Sequence, residues 1–179
     1  MTKRICSGKT GPRQSIFLPL LILLFLFIPL FSEANGPQSF TGKVVSVNDG
    51  DIINVMREGK AVKIRLHGID CPEKNQPYGT RAKQYTSDMA FGKEVTVQIK
   101  TTDRYGRIVG EVILPDGLSL NKELVYAGLA WWYRKFAPND RILKTLEEGA
   151  RAEKKSLWAD KNPIPPWEWR KMQRGRSKK

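Results

Sequence analysis

Apolar and polar residues alternate along much of the chain between Phe40 and Leu114, in the period-two pattern of strands with one buried face. Because side chains two residues apart share a face of a strand, Arg65 lies opposite its apolar neighbours, where a substrate-binding group would have to be. The clearest two runs are Val62, Ile64 and Leu66 alternating with Lys63, Arg65 and His67, and Val95, Val97 and Ile99 alternating with Thr96, Gln98 and Lys100.

Short turns with glycine separate these predicted strands. Glycine adopts positive φ at little cost, so we expect each turn to use its glycine in that conformation. The turns are Asp49-Gly50, Glu58-Gly59, Tyr105-Gly106 and Pro115-Asp116-Gly117.

Apolar residues recur at helical spacing in three segments: Thr80 to Phe91, Ser119 to Ala130, and Asn139 to about Lys155. Gly92 follows the first as a stop signal, and Ser119 opens the second as a capping residue. Strands come first, one helix precedes the last two strands, and two helices follow, an α+β order consistent with a five-stranded OB barrel. The predicted buried faces are Ala82, Tyr85 and Met89, then Leu120, Leu124 and Ala127, then Ile142, Leu146 and Ala150.

The N-terminal residues 1–34 have the pattern of a signal peptide. Four basic residues precede an apolar run from Ile16 to Phe31, and Ser32-Glu33-Ala34 offers small residues at a cleavage site. We expect cleavage after Ala34 and export to the periplasm or the medium, which leaves no transmembrane segment in the mature form. An uncleaved membrane anchor is the alternative.

The C-terminal residues 161–179 differ from the domain that precedes them. Asn162 to Trp169 is rich in proline, and we expect it to be extended with its two tryptophans packed against the domain. Arg170 to Lys179 holds six basic residues and no acidic one, so we expect a disordered electrostatic arm.

The charge of the chain favours polyanionic partners. It has 31 Lys and Arg against 18 Asp and Glu, a formal net charge of +13, and about +10 remains without the four basic residues and one acidic residue of residues 1–34. Without Cys6, the mature chain would keep one cysteine, Cys71, and one histidine, His67. This pair is too small for a zinc site and argues against a Cys/His nucleophile.

Five charged residues suggest a specific chemistry: Asp51, Arg65, Asp70, Glu73 and Arg107. Two aspartates can share a hard cation through oxygen ligands, and a glutamate can act on water. Guanidinium groups can bind a phosphoryl group through two nitrogens at once. Together these groups match the requirements for cleaving a phosphodiester bond.

The strings that carry these residues resemble the thermonuclease family, the staphylococcal nuclease-like proteins, and occur in the family's order from about Phe40 to Trp158. They are Asn48 to Asp51, Ile64 to Glu73, Asp103 to Arg107, Tyr126 to Ala130, and Ser156 to Trp158. The resemblance implies a five-stranded OB-fold barrel with three helices over residues 38–160. It also implies hydrolysis of DNA and RNA.

The resemblance further implies that calcium is bound by Asp51, Asp70 and the backbone carbonyl of Cys71. Many relatives have threonine at the position of Cys71, so the missing hydroxyl could change hydrogen bonds around the metal. The matching glutamate, Glu73, would position or deprotonate the attacking water, and both roles stay open.

Arg65 and Arg107 would then lie on either side of the scissile phosphate. In the same resemblance, Tyr105 is similar to the family tyrosine that lines the nucleotide pocket, and Tyr133 is a second candidate for such a contact. Arg104 stands where the family often has lysine, and its positive charge makes it a candidate substrate contact.

The function expected from this resemblance is a secreted, calcium-dependent nuclease of little sequence specificity that leaves 3′-phosphates. We expect a monomer that acts on DNA and RNA and needs no protein partner. A catalytically silent OB-fold module that binds nucleic acid is the alternative, and a basic cell-surface protein is a third possibility. Silent relatives lose members of the carboxylate and arginine set, whereas all five residues are present here.

The leader yields a direct prediction: the exported protein begins at or near Asn35. N-terminal sequencing of the exported fraction checks it. An intact Met1 terminus recovered from the membrane fraction would establish the anchor instead.

Overall fold

The computed structural model describes residues 38–176. The predicted leader, residues 1–34, and the last three residues of the predicted tail lie outside this range. The strands are β1 (Ser39–Asp49), β2 (Ile52–Arg57), β3 (Lys60–Leu66), β4 (Ile69–Asp70), β5 (Glu94–Thr102), β6 (Ile108–Ile113) and β7 (Trp131–Trp132). The helices are α1 (Gly79–Ala90), α2 (Leu120–Tyr126), α3 (Arg141–Ala152) and α4 (Pro166–Arg176), with a 3₁₀ turn at Ser156–Ala159.

Five strands close into a barrel in the order β1-β2-β3-β6-β5. Their neighbours are antiparallel except β3 and β6, which run parallel with Arg65 opposite Val109. The short strands β4 and β7 form a separate antiparallel pair in which Asp70 lies opposite Trp131. This architecture confirms the predicted α+β fold with a five-stranded barrel.

The interior of the barrel is built from the predicted alternating positions. Ile64, Leu66, Val95 and Val97 are at most 1% exposed, and their alternate neighbours face outward or into the cleft described below. The alternating pattern therefore identified the buried face of both strands correctly.

Two of the predicted helices differ in detail from the observed ones. Helix α2 ends at Tyr126 rather than Ala130, because Gly128 takes a φ of 67° and the chain then enters β7. In α3, Ile142 is 56% exposed, contrary to prediction, and the buried residues are Leu143, Glu147 and Ala150. Ala150 is buried as predicted and Leu146 is partly buried against the core, but the start of the face lies at Leu143 and the face includes a carboxylate, Glu147.

The turn glycines also serve two purposes rather than one. Gly59, Gly106 and Gly117 have positive φ, as predicted. Gly50 is not among the positive-φ glycines of residues 38–176. A β-carbon there would lie 2.8 Å from Cys71 Cβ and 2.9 Å from the β-carbon of Ala82, so Gly50 is needed for close packing.

The C-terminal segment departs most from prediction. Residues 166–176 form helix α4, so the expected extended and disordered conformations are wrong there. Pro166 fits the first turn of a helix, Glu168 lies near its N-terminus, and Arg174 and Arg176 lie near its C-terminus. The expected packing of tryptophan is confirmed for Trp167. None of the helices within residues 38–176 has the length and hydrophobicity needed to cross a membrane.

A buried amide links helix α2 to the barrel. Asn121 is 3% exposed, and its Oδ1 accepts a hydrogen bond from the Val112 N–H at 3.0 Å. Its Nδ2 donates to the carbonyl oxygens of His67 at 2.9 Å and Gly110 at 3.2 Å. One side chain therefore forms hydrogen bonds with backbone groups of β6 and of the turn that follows β3. These two strands are the parallel pair of the barrel.

Asn121→Ala should lower the free energy of unfolding by about 2–4 kcal/mol, because it leaves several buried backbone groups unpaired. Urea denaturation measures this change. The exposed Asn139→Ala is the matched control, expected within about 0.5 kcal/mol of the parent. Equal stability of the two variants would contradict the role given to Asn121.

Candidate functional site

An open cleft of about 960 Å³ lies at one end of the barrel. All nine residues singled out from the sequence line it, although they come from distant parts of the chain. They are Asp51, Arg65, Asp70, Cys71, Glu73, Arg104, Tyr105, Arg107 and Tyr133. The structure therefore brings the complete predicted set to one surface.

Asp51 is positioned by the turn between β1 and β2. Thr86 of α1 donates a hydrogen bond to the Gly50 carbonyl at 2.6 Å, and the Leu66 N–H donates to the Asp51 carbonyl at 2.9 Å. The Asp51 carboxylate accepts a hydrogen bond from the Cys71 N–H at 3.2 Å. These contacts hold the carboxylate against the segment that follows β4, where it is 3% exposed.

Asp70 is positioned by the β4–β7 pair and is fully buried. Strand β7 is fixed in turn by Glu147, whose carboxylate accepts a hydrogen bond from the Trp132 N–H at 3.1 Å. Glu147 also pairs with Arg134 at 3.0 Å and with Arg151 at 3.4 Å. The buried carboxylate of α3 thus supports the strand that places Asp70 in the cleft.

Arg65 joins the two aspartates. Its Nη1 lies 3.1 Å from Asp51 Oδ2, and its Nη2 lies 2.8 Å from Asp70 Oδ1. The pKa of Asp51 is raised to about 6, chiefly by burial, with an opposing effect of Arg65 and an added raising effect of the neighbouring Asp70. Two acidic groups are therefore held close together at a site where water screens them poorly.

Cys71 is 4% exposed and is the free cysteine of the described range. Burial raises the pKa of its thiol, and the charges of Asp51 and Asp70 raise it further. Because a thiolate is disfavoured there, the side chain is unsuited to act as a nucleophile. This agrees with the view from sequence that only the backbone of Cys71 contributes to the site.

A residue that sequence reasoning missed, Arg170 of α4, lies among these carboxylates. Its Nη2 is 2.7 Å from Asp70 Oδ2, and its Nη1 is 2.6 Å from Glu73 Oε1 and 3.3 Å from Asp70 Oδ1. A signal for this was present in the sequence. With Pro166 and Glu168 taken as a helix start, Trp167, Arg170 and Arg174 fall on one helical face, and all three line the cleft.

The loop after β5 forms another part of the cleft lining. Asp103 accepts hydrogen bonds from the N–H groups of Tyr105 and Arg107 at 2.9 and 3.0 Å. Its other carboxylate oxygen lies 2.7 Å from Arg107 Nε. Arg104 donates to the Tyr105 hydroxyl at 2.7 Å, and the Tyr105 side chain is exposed. This loop therefore presents two guanidinium groups and an aromatic ring.

Tyr133 lies beside helix α4. Its ring stacks on Trp167 with a centroid distance of 5.1 Å and an interplanar angle of 3°, and Phe136 contacts it edge-on at 4.9 Å. One face of Tyr133 is therefore covered by α4, which restricts how a planar ligand could stack there.

The donor atoms suit a hard divalent cation. Asp51 and Asp70 line the cleft with carboxylate oxygens, and a cation would offset the repulsion between these two buried like charges. Within residues 38–176 no group of three or more His, Cys, Asp and Glu side chains is arranged to hold a metal. A cation bound here would need further oxygens from backbone carbonyls, water or a ligand, which calcium accepts readily.

Comparison with known proteins identifies relatives of the whole domain. Residues 63–160, more than half of the chain, match the family model described as "Staphylococcal nuclease homologue". An uncharacterized endonuclease of Escherichia coli is 43% identical over 154 residues, which cover 86% of this chain and 96% of that protein. A micrococcal nuclease of Shigella flexneri is 35% identical over 159 residues, covering 84% of this chain and 88% of the relative.

The raised pKa of Asp51 predicts how stability depends on pH. The pKa of Asp51 is about 6 in the folded state and 3.8 in the unfolded state, so the folded protein binds more protons between these values. The stability that Asp51 contributes is therefore present at about pH 4 and is lost as the pH rises to about 6. Between pH 4 and 7, the metal-free parent should therefore lose roughly 1–3 kcal/mol more stability than Asp51→Asn. Urea denaturation with a chelator present measures both profiles.

The matched control for this comparison is Asp88→Asn, an exposed position on α1. Its profile should run parallel to that of the parent. Parallel profiles for Asp51→Asn and the parent would contradict the raised pKa.

Proposed function

Because the chain belongs to the staphylococcal nuclease family, we propose that it is a calcium-dependent endonuclease that hydrolyses DNA and RNA with little sequence specificity. Family membership makes it a nuclease. The calcium requirement and the range of substrates are the proposed part. One observation carries them most directly: Asp51, Arg65, Asp70 and Glu73 form one cluster in a cleft that Arg107 also lines.

Asp51, Asp70 and the backbone carbonyl of Cys71 would hold the calcium ion. When bound, the ion would supply positive charge near the phosphodiester and favour ionisation of water. The chain's own contribution is to keep both carboxylates buried and fixed. The hydrogen bond from the Cys71 N–H and the ion pair with Arg65 support this role, because both orient the Asp51 carboxylate.

Glu73 is proposed to position or deprotonate the attacking water. It lies at the edge of the cleft with 35% of its side chain exposed, so water can reach it. Its backbone is held by Gln76, whose side-chain oxygen accepts a hydrogen bond from the Glu73 N–H at 3.2 Å. The Gln76 N–H donates back to the Glu73 carbonyl at 2.8 Å. A carboxylate on such a fixed turn keeps its direction relative to Asp70.

Arg65 and Arg107 are proposed to bind the scissile phosphate and stabilise its developing charge. Arg107 contacts Asp103 through Nε, and this contact does not use its two η nitrogens. A planar fork that stays charged suits two phosphate oxygens better than an ammonium group does. Expulsion of the 5′ oxygen by water would leave 3′-phosphate products.

Arg104, Tyr105 and Tyr133 are proposed to contact the nucleotide. Tyr105 is 68% exposed on the loop after β5, within reach of a ligand in the cleft. The net charge of +13 favours a polyanionic substrate. We also propose that the protein acts outside the cytoplasm as a monomer, on the basis of the leader sequence and of a site that one chain completes.

The decisive test compares hydrolysis of single-stranded DNA and RNA with calcium and with a chelator. The parent should be active when calcium is present and inactive with the chelator, and its products should carry 3′-phosphate ends. Glu73→Gln should lower turnover by roughly 10²- to 10⁴-fold with little change in substrate affinity, because its role falls in the chemical step.

Asp70→Asn should weaken calcium binding in the same series, because it removes a charge from the metal site. Glu94→Gln, an exposed change on β5, is the control expected to retain parental activity. Undiminished turnover in Glu73→Gln, or equal activity with calcium chelated, would refute the proposal and return the chain to the binding-module alternative.

A further inference from the structure

Helix α4 lies beyond the segment that matches the family model, which ends at residue 160. The helix is held to the domain independently of the carboxylates. Pro166 is buried, and Trp167 contacts Trp131 edge-on at 5.7 Å and stacks on Tyr133. Just before the helix, Gln76 donates a hydrogen bond to the Ile164 carbonyl at 2.6 Å. The aromatic packing therefore positions the helix, and Arg170 extends from it into the cleft.

The Arg170 guanidinium contacts both groups that the proposed chemistry needs. Its two η nitrogens bridge Asp70 and Glu73 at 2.7 and 2.6 Å, and both carboxylate oxygens of Asp70 accept from it. Asp70 Oδ1 also accepts from Arg65 at 2.8 Å. Asp70 thus has each oxygen occupied by a guanidinium nitrogen.

The guanidinium groups offset most of the negative charge in this cluster. Arg65 and Arg170 supply two positive charges against the three carboxylates of Asp51, Asp70 and Glu73. A divalent cation on Asp70 would share an oxygen with Arg170 and would be repelled by it across a few ångströms of poorly screened space. The cation and the guanidinium would therefore compete for the same carboxylate.

We propose that Arg170 is a further positioning residue of the active site, which sets the affinity for the divalent cation by competing with it for Asp70. The same fork binds Glu73, so the group that handles water is paired until the cation arrives. This inference rests on the proposed function, in which Asp70 is a calcium ligand and Glu73 acts on water. Because α4 is anchored through Trp167, release of Asp70 requires movement of the Arg170 side chain rather than of the whole helix.

Calorimetric titration of the purified protein with calcium chloride tests the proposal. Arg170→Gln should bind calcium roughly tenfold more tightly than the parent, because one competing unit charge is removed beside the ligand. Arg170→Lys should lie between the two, since an ammonium keeps the charge but cannot bridge both carboxylates with a planar fork.

Lys171→Gln is the matched control. It removes the same charge from the next position of α4, where the side chain is exposed and is not among the residues of the described range that line the cleft. Its calcium affinity should stay within about twofold of the parent, because solvent and salt screen an exposed charge.

Thermal melting with and without calcium gives a second readout. Calcium should raise the melting temperature of Arg170→Gln more than that of the parent, since a ligand stabilises the folded state by an amount that grows with the logarithm of its concentration relative to its dissociation constant. If Arg170→Gln fails to melt cooperatively, the comparison of Arg170→Lys with the parent decides the matter, and equal affinity there overturns the proposal.

The outcomes separate this proposal from the function on which it rests. Parental or weaker calcium affinity in a folded Arg170→Gln protein overturns the role of Arg170 while leaving the calcium site intact. If neither the parent nor any variant binds calcium, the metal assignment itself is wrong. If Lys171→Gln and Arg170→Gln gained calcium affinity equally, the gain would come from the lower net charge of the protein. That result would also refute competition at Asp70.

Discussion

The burial of two aspartates beside each other is the constraint on which the rest of the site depends. Carboxylates removed from water are unfavourable unless paired and hydrogen-bonded, and two of them also repel. Arg65 meets both requirements by bridging Asp51 and Asp70, and the Cys71 N–H adds a hydrogen bond to Asp51. Two like charges remain close together in this arrangement, so a bound cation would stabilise it further.

The surrounding structure keeps these charges in place. Gly50 allows the β1–β2 turn to pack closely against Cys71, and Thr86 ties that turn to α1. On the other side, Glu147 anchors β7, whose partner β4 contains Asp70. Three elements distant in sequence therefore converge on one cluster, and a barrel with rigid hydrogen bonding can hold them with the precision that catalysis requires.

Helix α4 adds a positive charge to a site whose carboxylates come from the β1–β2 turn, from β4 and from the segment that follows β4. Trp167 docks the helix through aromatic contacts that need no charge, whereas Arg170 inserts a cation between Asp70 and Glu73. On this helix, different residues therefore provide the packing against the domain and the charge in the cleft. In the role proposed for Arg170, this helix would adjust metal affinity without altering any of the proposed ligands.

Alternation along the strands is a local signal, and it predicted the β-strands of the barrel and their buried face from the sequence alone. The grouping of the cleft residues was predicted only through the resemblance of short motifs, such as Asp70 to Glu73, to a known family. The tertiary structure decided the features that depend on contacts between distant parts of the chain. The packing of Trp167 converts a proline-rich, basic segment into a helix. The buried face of α3 includes Glu147, whose carboxylate is paired with arginines and a backbone N–H group, and a hydrophobic pattern does not predict a buried carboxylate. Arg170 is a hundred residues from Asp70 in the sequence, yet its guanidinium lies 2.7 Å from the Asp70 carboxylate. Only long-range contacts produce this proximity, because a periodic pattern describes neighbours along the chain.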